Sequence, residues 1–380
     1  MNDPLNPLIY VHQLSLYYKA MEMALLTPVQ VVSLFLCSSF FFDSHCVYAS
    51  SPAMYVFGDS LADVGNNDYL EFTLIKADFP HNGIDYLHHK PTGRFSNGKN
   101  AADFLAERLG LPPPLPYLSV IHMFNITNTD AFLRGISFAS GGAGVLDSTN
   151  KGQCLTFSKQ VHYYHSVYAS LVQQHGVVKT HDHLSKSIFS FIIGSNDIFS
   201  YSKSKANPQQ FADSLVSTLQ TQFKRLYKLG ARKFAFIGAG PTGCCPSQRA
   251  KSKTEDCNPE TNLLSILYNN AAYSLLHEMK SNFSDMNYSF FDTFNTLLHY
   301  IQNPETYGFT EVKAACCGLG KMNAKVACLP ISGYCSNRKN YIYWDPNHPT
   351  EATVSKLTST VIDGSPPNVF PVNLRQLCAL

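Results

Sequence analysis

Five short, largely apolar runs punctuate this chain, at Ala53 to Phe57, Gly135 to Ala139, Ile188 to Ile193, Lys233 to Ile237 and Tyr288 to Phe291. Segments of helical period lie between them. That alternation is the pattern of a parallel sheet buried by helices on both faces. In 207–230, Asn207 suits the N-cap, Pro208 the first turn and Gly230 the end, and Phe211, Leu215, Leu219, Phe223 and Leu226 share one face. Segment 258–280 repeats the device with Asn258-Pro259-Glu260, followed by Leu263, Leu267, Ala271 and Met279. No repeat, linker or composition shift interrupts residues 50–365, which read as a single domain. The tail from Gly364, with Ser-Pro-Pro-Asn and residues 366–380 as its C-terminal part, is expected to be loosely ordered.

Only 15% of the 380 residues are charged, well below the roughly 25% of an ordinary soluble domain, while 45% are hydrophobic. Global disorder is therefore excluded. With a net charge of +2 and no Lys/Arg block, nothing marks a nucleic-acid surface. The uncharged run Val29–Phe42 falls short of the about 20 residues that span a bilayer and fits a signal-peptide core. Cleavage is expected after Ala49, so residues 1–49 form an N-terminal extension and signal peptide, with Met21 and Met23 as alternative starts. The mature chain is then secreted, with no stable membrane anchor.

Eleven cysteines change meaning with secretion, because Cys37 and Cys46 leave with the signal and nine remain. Bridges within 244–257 and within 316–335 are expected in an oxidising compartment, and the odd number leaves at least one thiol unpaired. The sequons at Asn125, Asn282 and Asn287 are compatible with secretion.

Several familiar signatures fail on inspection. Gly93 to Asn100 matches a phosphate loop until Asn100, which lacks the hydroxyl that would meet magnesium, and no strand precedes it. Gly238-Ala-Gly240-Pro-Thr-Gly243 follows a strand, but Pro241 and Pro246 stop a helix from presenting its N-terminus to a pyrophosphate. HExxH and GxSxG are absent. His162/His165 and His181/His183 lack an acidic third ligand, so no metal and no cofactor are expected.

One constellation survives. Ser60 leaves the end of the first strand within Gly58-Asp-Ser-Leu-Ala-Asp63-Val-Gly-Asn-Asn67. A serine there is either a helix cap or a nucleophile, and a nucleophile needs a base. Far along the chain, Asp345-Pro-Asn-His348 can supply a base and its orienting carboxylate from one loop. Backbone donors for a developing oxyanion are available from Ser140-Gly-Gly142-Ala-Gly144, and a side-chain amide from Asn196 in Gly194-Ser-Asn196-Asp197.

Taken together, the four ordered blocks FGDSLADVGNN, FASGGAG, GSND and DPNHPTE resemble the plant-type secreted GDSL lipases of the SGNH hydrolase superfamily, from about Ala53 to Glu351. GRFSNGK, GARKFAFIGAGPTGCCP and CCGLG are similar to family text as well. The resemblance implies a flavodoxin-like three-layer α/β/α sandwich with a mostly parallel five-stranded sheet. It also implies a carboxylic-ester hydrolase, delivered to the cell wall or apoplast, that acts on small-molecule or lipid esters. Ser60 would be the nucleophile, His348 the base and acid, and Asp345 its orienter. Oxyanion donors would be the Ser60 and Gly142 backbone N–H groups and the Asn196 amide. Acyl transfer at the same serine and a catalytically inactive secreted binding protein are the competing readings.

Overall fold

A computed structural model describes residues 52–124, 129–201 and 207–380, and Pro52–Leu380 forms one compact unit. The signal segment and Asn125 lie outside the described residues. Seven strands make the main sheet: β1 (Met54–Gly58), β2 (Leu115–Pro116), β3 (Ile136–Ser137), β4 (Ile188–Ile192), β5 (Lys233–Ile237), β6 (Asn287–Phe291) and the C-terminal strand Val369–Pro371. Their spatial order is Val369–Pro371, β6, β5, β4, β1, β3, β2, and all pairings are parallel except the one between Val369–Pro371 and β6. The five expected runs each supply one strand. The sheet is nevertheless wider than the five strands anticipated, because two edge strands are added. Both carry proline, which forfeits a ladder hydrogen bond and is tolerated at an edge.

Residue alternation divides the sheet into two unlike faces. Tyr55, Phe57, Phe189, Phe191, Phe234, Phe236, Tyr288 and Phe290 pack on one side against helices α2 (Phe157–His175), α4 (Pro208–Lys228) and α5 (Pro259–Asn282). Rings stack from strand to strand there, with Phe57–Phe191 centroids 5.4 Å apart and Phe236–Phe290 5.7 Å. Smaller and aliphatic side chains, Met54, Val56, Ile188, Ile192 and Ala235, point the other way. They meet α1 (Ala101–Arg108), α6 (Thr293–Gln302) and α7 (Glu351–Asp363). Helix α3 (Ser195–Phe199) follows β4 directly.

Asn207 caps α4 through the Gln210 N–H, as its sequence suggests. In α5 Met279 is buried as expected, but through the first turns the buried face is displaced by one residue from the expected Leu263, Leu267 and Ala271. Leu263 is 44% exposed, whereas Leu264, Tyr268, Ala272, Leu275 and Leu276 are buried. Hydrogen bonds set that phase: the Tyr268 hydroxyl donates to Ile193 O, and Asn269 both accepts from and donates to the Ala239 peptide.

The tail is not loosely ordered. Val369–Pro371 pairs with β6, and helix α8 (Leu374–Ala379) buries Leu374 and Leu377 completely. Among the described residues no helix is long and apolar enough to cross a membrane.

Candidate active site

The sequence order of the strands reverses around β1, which has β3 on one side and β4 on the other, and in open α/β sheets ligands bind outside the carboxyl ends at such a point. β1 ends in Gly58, where a Cβ would lie 2.3 Å from Ile192 O, so only glycine lets β1 and β4 approach. Gln160 of α2 clamps both sides of that residue: Gly58 N donates to its Oε1, and its Nε2 donates to Gly58 O, each at 2.9 Å. Ser60 emerges two residues later, 7% exposed.

His348 Nε2 lies 2.7 Å from Ser60 Oγ, and its Nδ1 lies 2.7 Å from Asp345 Oδ2. Asp345 Oδ1 also accepts from the backbone N–H groups of Asn347 (2.9 Å) and His348 (2.8 Å), which folds the loop around its own carboxylate. Trp344 N donates to His348 O, and the Phe95 ring sits 5.2 Å from the imidazole. Burial disfavours the imidazolium, but the charge of Asp345, its hydrogen bond and the charge of Asp59 outweigh it, so the His348 pKa is raised.

Gly142 has φ +85°, a left-handed conformation suited to glycine, and its carbonyl accepts from Asn150 Nδ2. Among the described residues no hydrogen bond occupies the backbone N–H of Ser60 or of Gly142. Asn196 Nδ2 donates to Ala143 O at 3.0 Å, leaving its second N–H available. Ser60, Gly142, Asn196 and His348 all line one cavity of about 300 Å³. Beyond them its wall is mostly apolar, from Leu105 of α1, Ile192, Ile237 and Phe291 at strand ends, Leu297 of α6 and Val361 of α7.

Three buried carboxylates brace these loops, a part that sequence reasoning did not assign. Asp63 accepts from the N–H groups of Gly65, Asn66 and Gly141, and burial pushes its pKa up to about 6. Asp197 accepts from Val145 N, Leu146 N and Thr149 Oγ1, and burial raises its pKa too. Asp59 accepts from Leu61 N, while its other oxygen has no partner among the described residues. Burial and nearby Asp197 push it up to about 7 against the pull of Leu61 N–H and His348. The signal for all three was their place in the GDSLAD and GSND blocks. Gln160 gave none, being one polar residue on a helix.

The failed phosphate loop also finds its purpose. Arg94 grips Asp103 with two 2.7 Å bonds, and Asn100 caps α1 in a capping box, which holds Phe95 against His348.

A family model for GDSL-like lipase/acylhydrolase matches residues 54–361. The chain belongs to that family. Its relatives include GDSL esterase/lipase At5g55050 of Arabidopsis thaliana, 42% identical over 87% of this chain and 90% of the relative. GDSL esterase/lipase At5g37690 of the same plant is 37% identical over 85% and 92%. Membership puts this GDSL protein among carboxylic-ester hydrolases.

Cys244–Cys257, Cys316–Cys335 and Cys317–Cys328 form the disulfides within the two segments anticipated, leaving Cys154, Cys245 and Cys378 as thiols among the described residues. Of the sequons, Asn282 is exposed at the end of α5, and Asn287 is half-buried and accepts from Lys280 Nζ.

Proposed function

We propose that this protein is a secreted serine esterase that hydrolyses carboxylic esters through an acyl-enzyme on Ser60. The supporting observation is the unbroken hydrogen-bonded chain Ser60–His348–Asp345 at the mouth of an apolar cavity. His348 takes the Ser60 proton as Oγ attacks the ester carbonyl, and Asp345 fixes the tautomer and steadies the imidazolium. The Ser60 and Gly142 N–H groups and the Asn196 amide receive the oxyanion. His348 then passes the proton to the leaving alcohol, and water, activated by the same imidazole, releases the acid. Secretion is supported by the apolar, uncharged run Val29–Phe42 and by three disulfides, which persist in oxidising compartments.

The test is release of p-nitrophenol from p-nitrophenyl butyrate, run beside fluorophosphonate labelling. Wild-type protein should turn over and take the label at Ser60, and Ser60→Ala should do neither. Absence of serine-dependent release together with absence of labelling would sink the enzyme reading and leave a binding protein of the same fold.

A further inference from the structure

Gly98 and Lys99, which give residues 93–100 their likeness to a phosphate loop, meet the carboxylate of Glu351 instead. Lys99 N donates to Glu351 Oε1 at 2.9 Å. A Cβ on Gly98 would lie 2.5 Å from Glu351 Cδ and 2.7 Å from each of its oxygens, so glycine is what leaves room for the carboxylate. The Lys99 ammonium takes no part, because it is bonded to Glu107 Oε2 at 2.7 Å. In return Glu351 N donates to Asn97 Oδ1 at 2.9 Å. Each stretch therefore satisfies a main-chain N–H of the other with a side chain, which is the reciprocal pattern of a capping box made between distant parts of the chain.

Glu351 opens α7 three residues after His348, so this interlock acts on the backbone just beyond the imidazole. Its other half is firmly seated. Asn97 is 3% exposed, and its Nδ2 donates at 2.8 Å to Asp85, whose carboxylate is gripped twice by Arg338, at 2.7 and 2.8 Å. Two residues before Asn97, Phe95 lays its ring against His348. Ahead of the base, Trp344 Nε1 donates to Asn82 Oδ1 at 3.1 Å. Residues 82–99 thus hold the His348 loop on both sides of the imidazole.

We propose that Glu351 is a positioning residue for His348: by locking the first turn of α7 to residues 97–99, it keeps the imidazole within reach of Ser60. The proposal rests on His348 being the base for that serine. Its partner is a neutral peptide N–H, so what matters is an acceptor oxygen of the right reach, and not the negative charge. Displacing a reacting group by about 1 Å can cost about a hundredfold in rate.

The test measures kcat and KM for p-nitrophenyl butyrate at a temperature where melting curves show each variant folded. Glu351→Ala should lower kcat by about ten- to a hundredfold with KM within about twofold. Glu351→Gln keeps an oxygen for Lys99 N–H and should restore kcat to within about threefold of wild type. Gly98→Ala displaces the carboxylate without removing either hydrogen-bonding group and should reproduce the Glu351→Ala loss; it decides in its place if Glu351→Ala does not fold. Wild-type kcat in the folded variants, or an equal loss in Glu351→Ala and Glu351→Gln, overturns the proposal. If wild-type protein cleaves no ester, the esterase reading fails separately, and the emission of Trp344 decides. It is the chain's only tryptophan, fully buried and next to Asp345. A red shift in Glu351→Ala that Glu351→Gln does not show upholds the interlock, and an unchanged spectrum overturns it.

Discussion

On the proposed mechanism His348 has to be neutral to take a proton from Ser60, and the carboxylates around it work against neutrality. Their charge holds its pKa above the ordinary histidine value of 6.5, so the acid limb of kcat/KM should have its midpoint above that value. Asp59 contributes to that shift and is itself pushed up to about 7 by burial, so the limb should report the pair. Asp59→Asn removes a negative charge near the imidazole, lowers the His348 pKa and should move the limb to lower pH. A pH–rate profile checks this, and an unmoved midpoint would mean the charge is not felt at His348. Ser60→Ala and His348→Ala should each lower kcat by roughly four to six powers of ten, read from initial rates on p-nitrophenyl butyrate. Ser60, Asp345 and His348 were legible in the sequence because each sits in a short block whose residues act on one another. Asp63 and Asp197 were visible but had no assigned task, since the loops they tie in, through Gly141 N and through Val145 N, lie elsewhere in the chain.

A single helix side chain steadies the strand that delivers Ser60. Gln160→Leu leaves the Gly58 N–H facing an apolar filler, while Gly58 O keeps its bond from Ser140 N, so the cost is about 1–3 kcal/mol for the one buried donor left unsatisfied. The melting temperature should fall by several degrees and kcat should fall with it; an unchanged melting curve would rule the clamp out. The loop carrying His348 is fastened by another element. Cys316 N donates to Tyr343 O and Cys317 N to Trp344 O, so the segment holding two disulfides lies directly beside residues 343–345. Reduction should therefore lower activity and thermal stability together, even though no cysteine belongs to the proposed catalytic set. If both are unchanged after thiol titration shows the bridges open, that bracing role is wrong. Sequence read the elements unevenly for a physical reason. Central strands announce themselves by apolar runs, whereas Leu115–Pro116 and Val369–Pro371 are short, carry proline and acquire strand geometry only from a neighbour. The phase of α5 likewise follows from Tyr268 and Asn269 bonding to residues after β4 and β5, which helical period alone does not encode.

At the scale of the whole molecule, the sheet divides its labour between faces. Stacked aromatic rings pack one side, and the cavity lies on the other, beside Ile192 and Ile237. The tail belongs to this design, because Lys233 Nζ donates to Cys378 O and Val369–Pro371 closes the β6 edge. Truncation after Gly364 should uncover that edge and the surface beneath Leu374 and Leu377, giving a chain of lower melting temperature and greater tendency to aggregate, as light scattering would detect. Soluble truncated protein with an unchanged melting curve would contradict this role.

The bond between Ser60 and His348 joins residues 288 positions apart, one near the start of the folded unit and the other close to its end. At about 5–20 residues per second of synthesis, tens of seconds separate the appearance of the two. A nascent chain can thus complete most of its sheet while still unable to attack an ester. On the proposed mechanism reactivity arrives only when the last segment docks, so the esterase spends its synthesis inert.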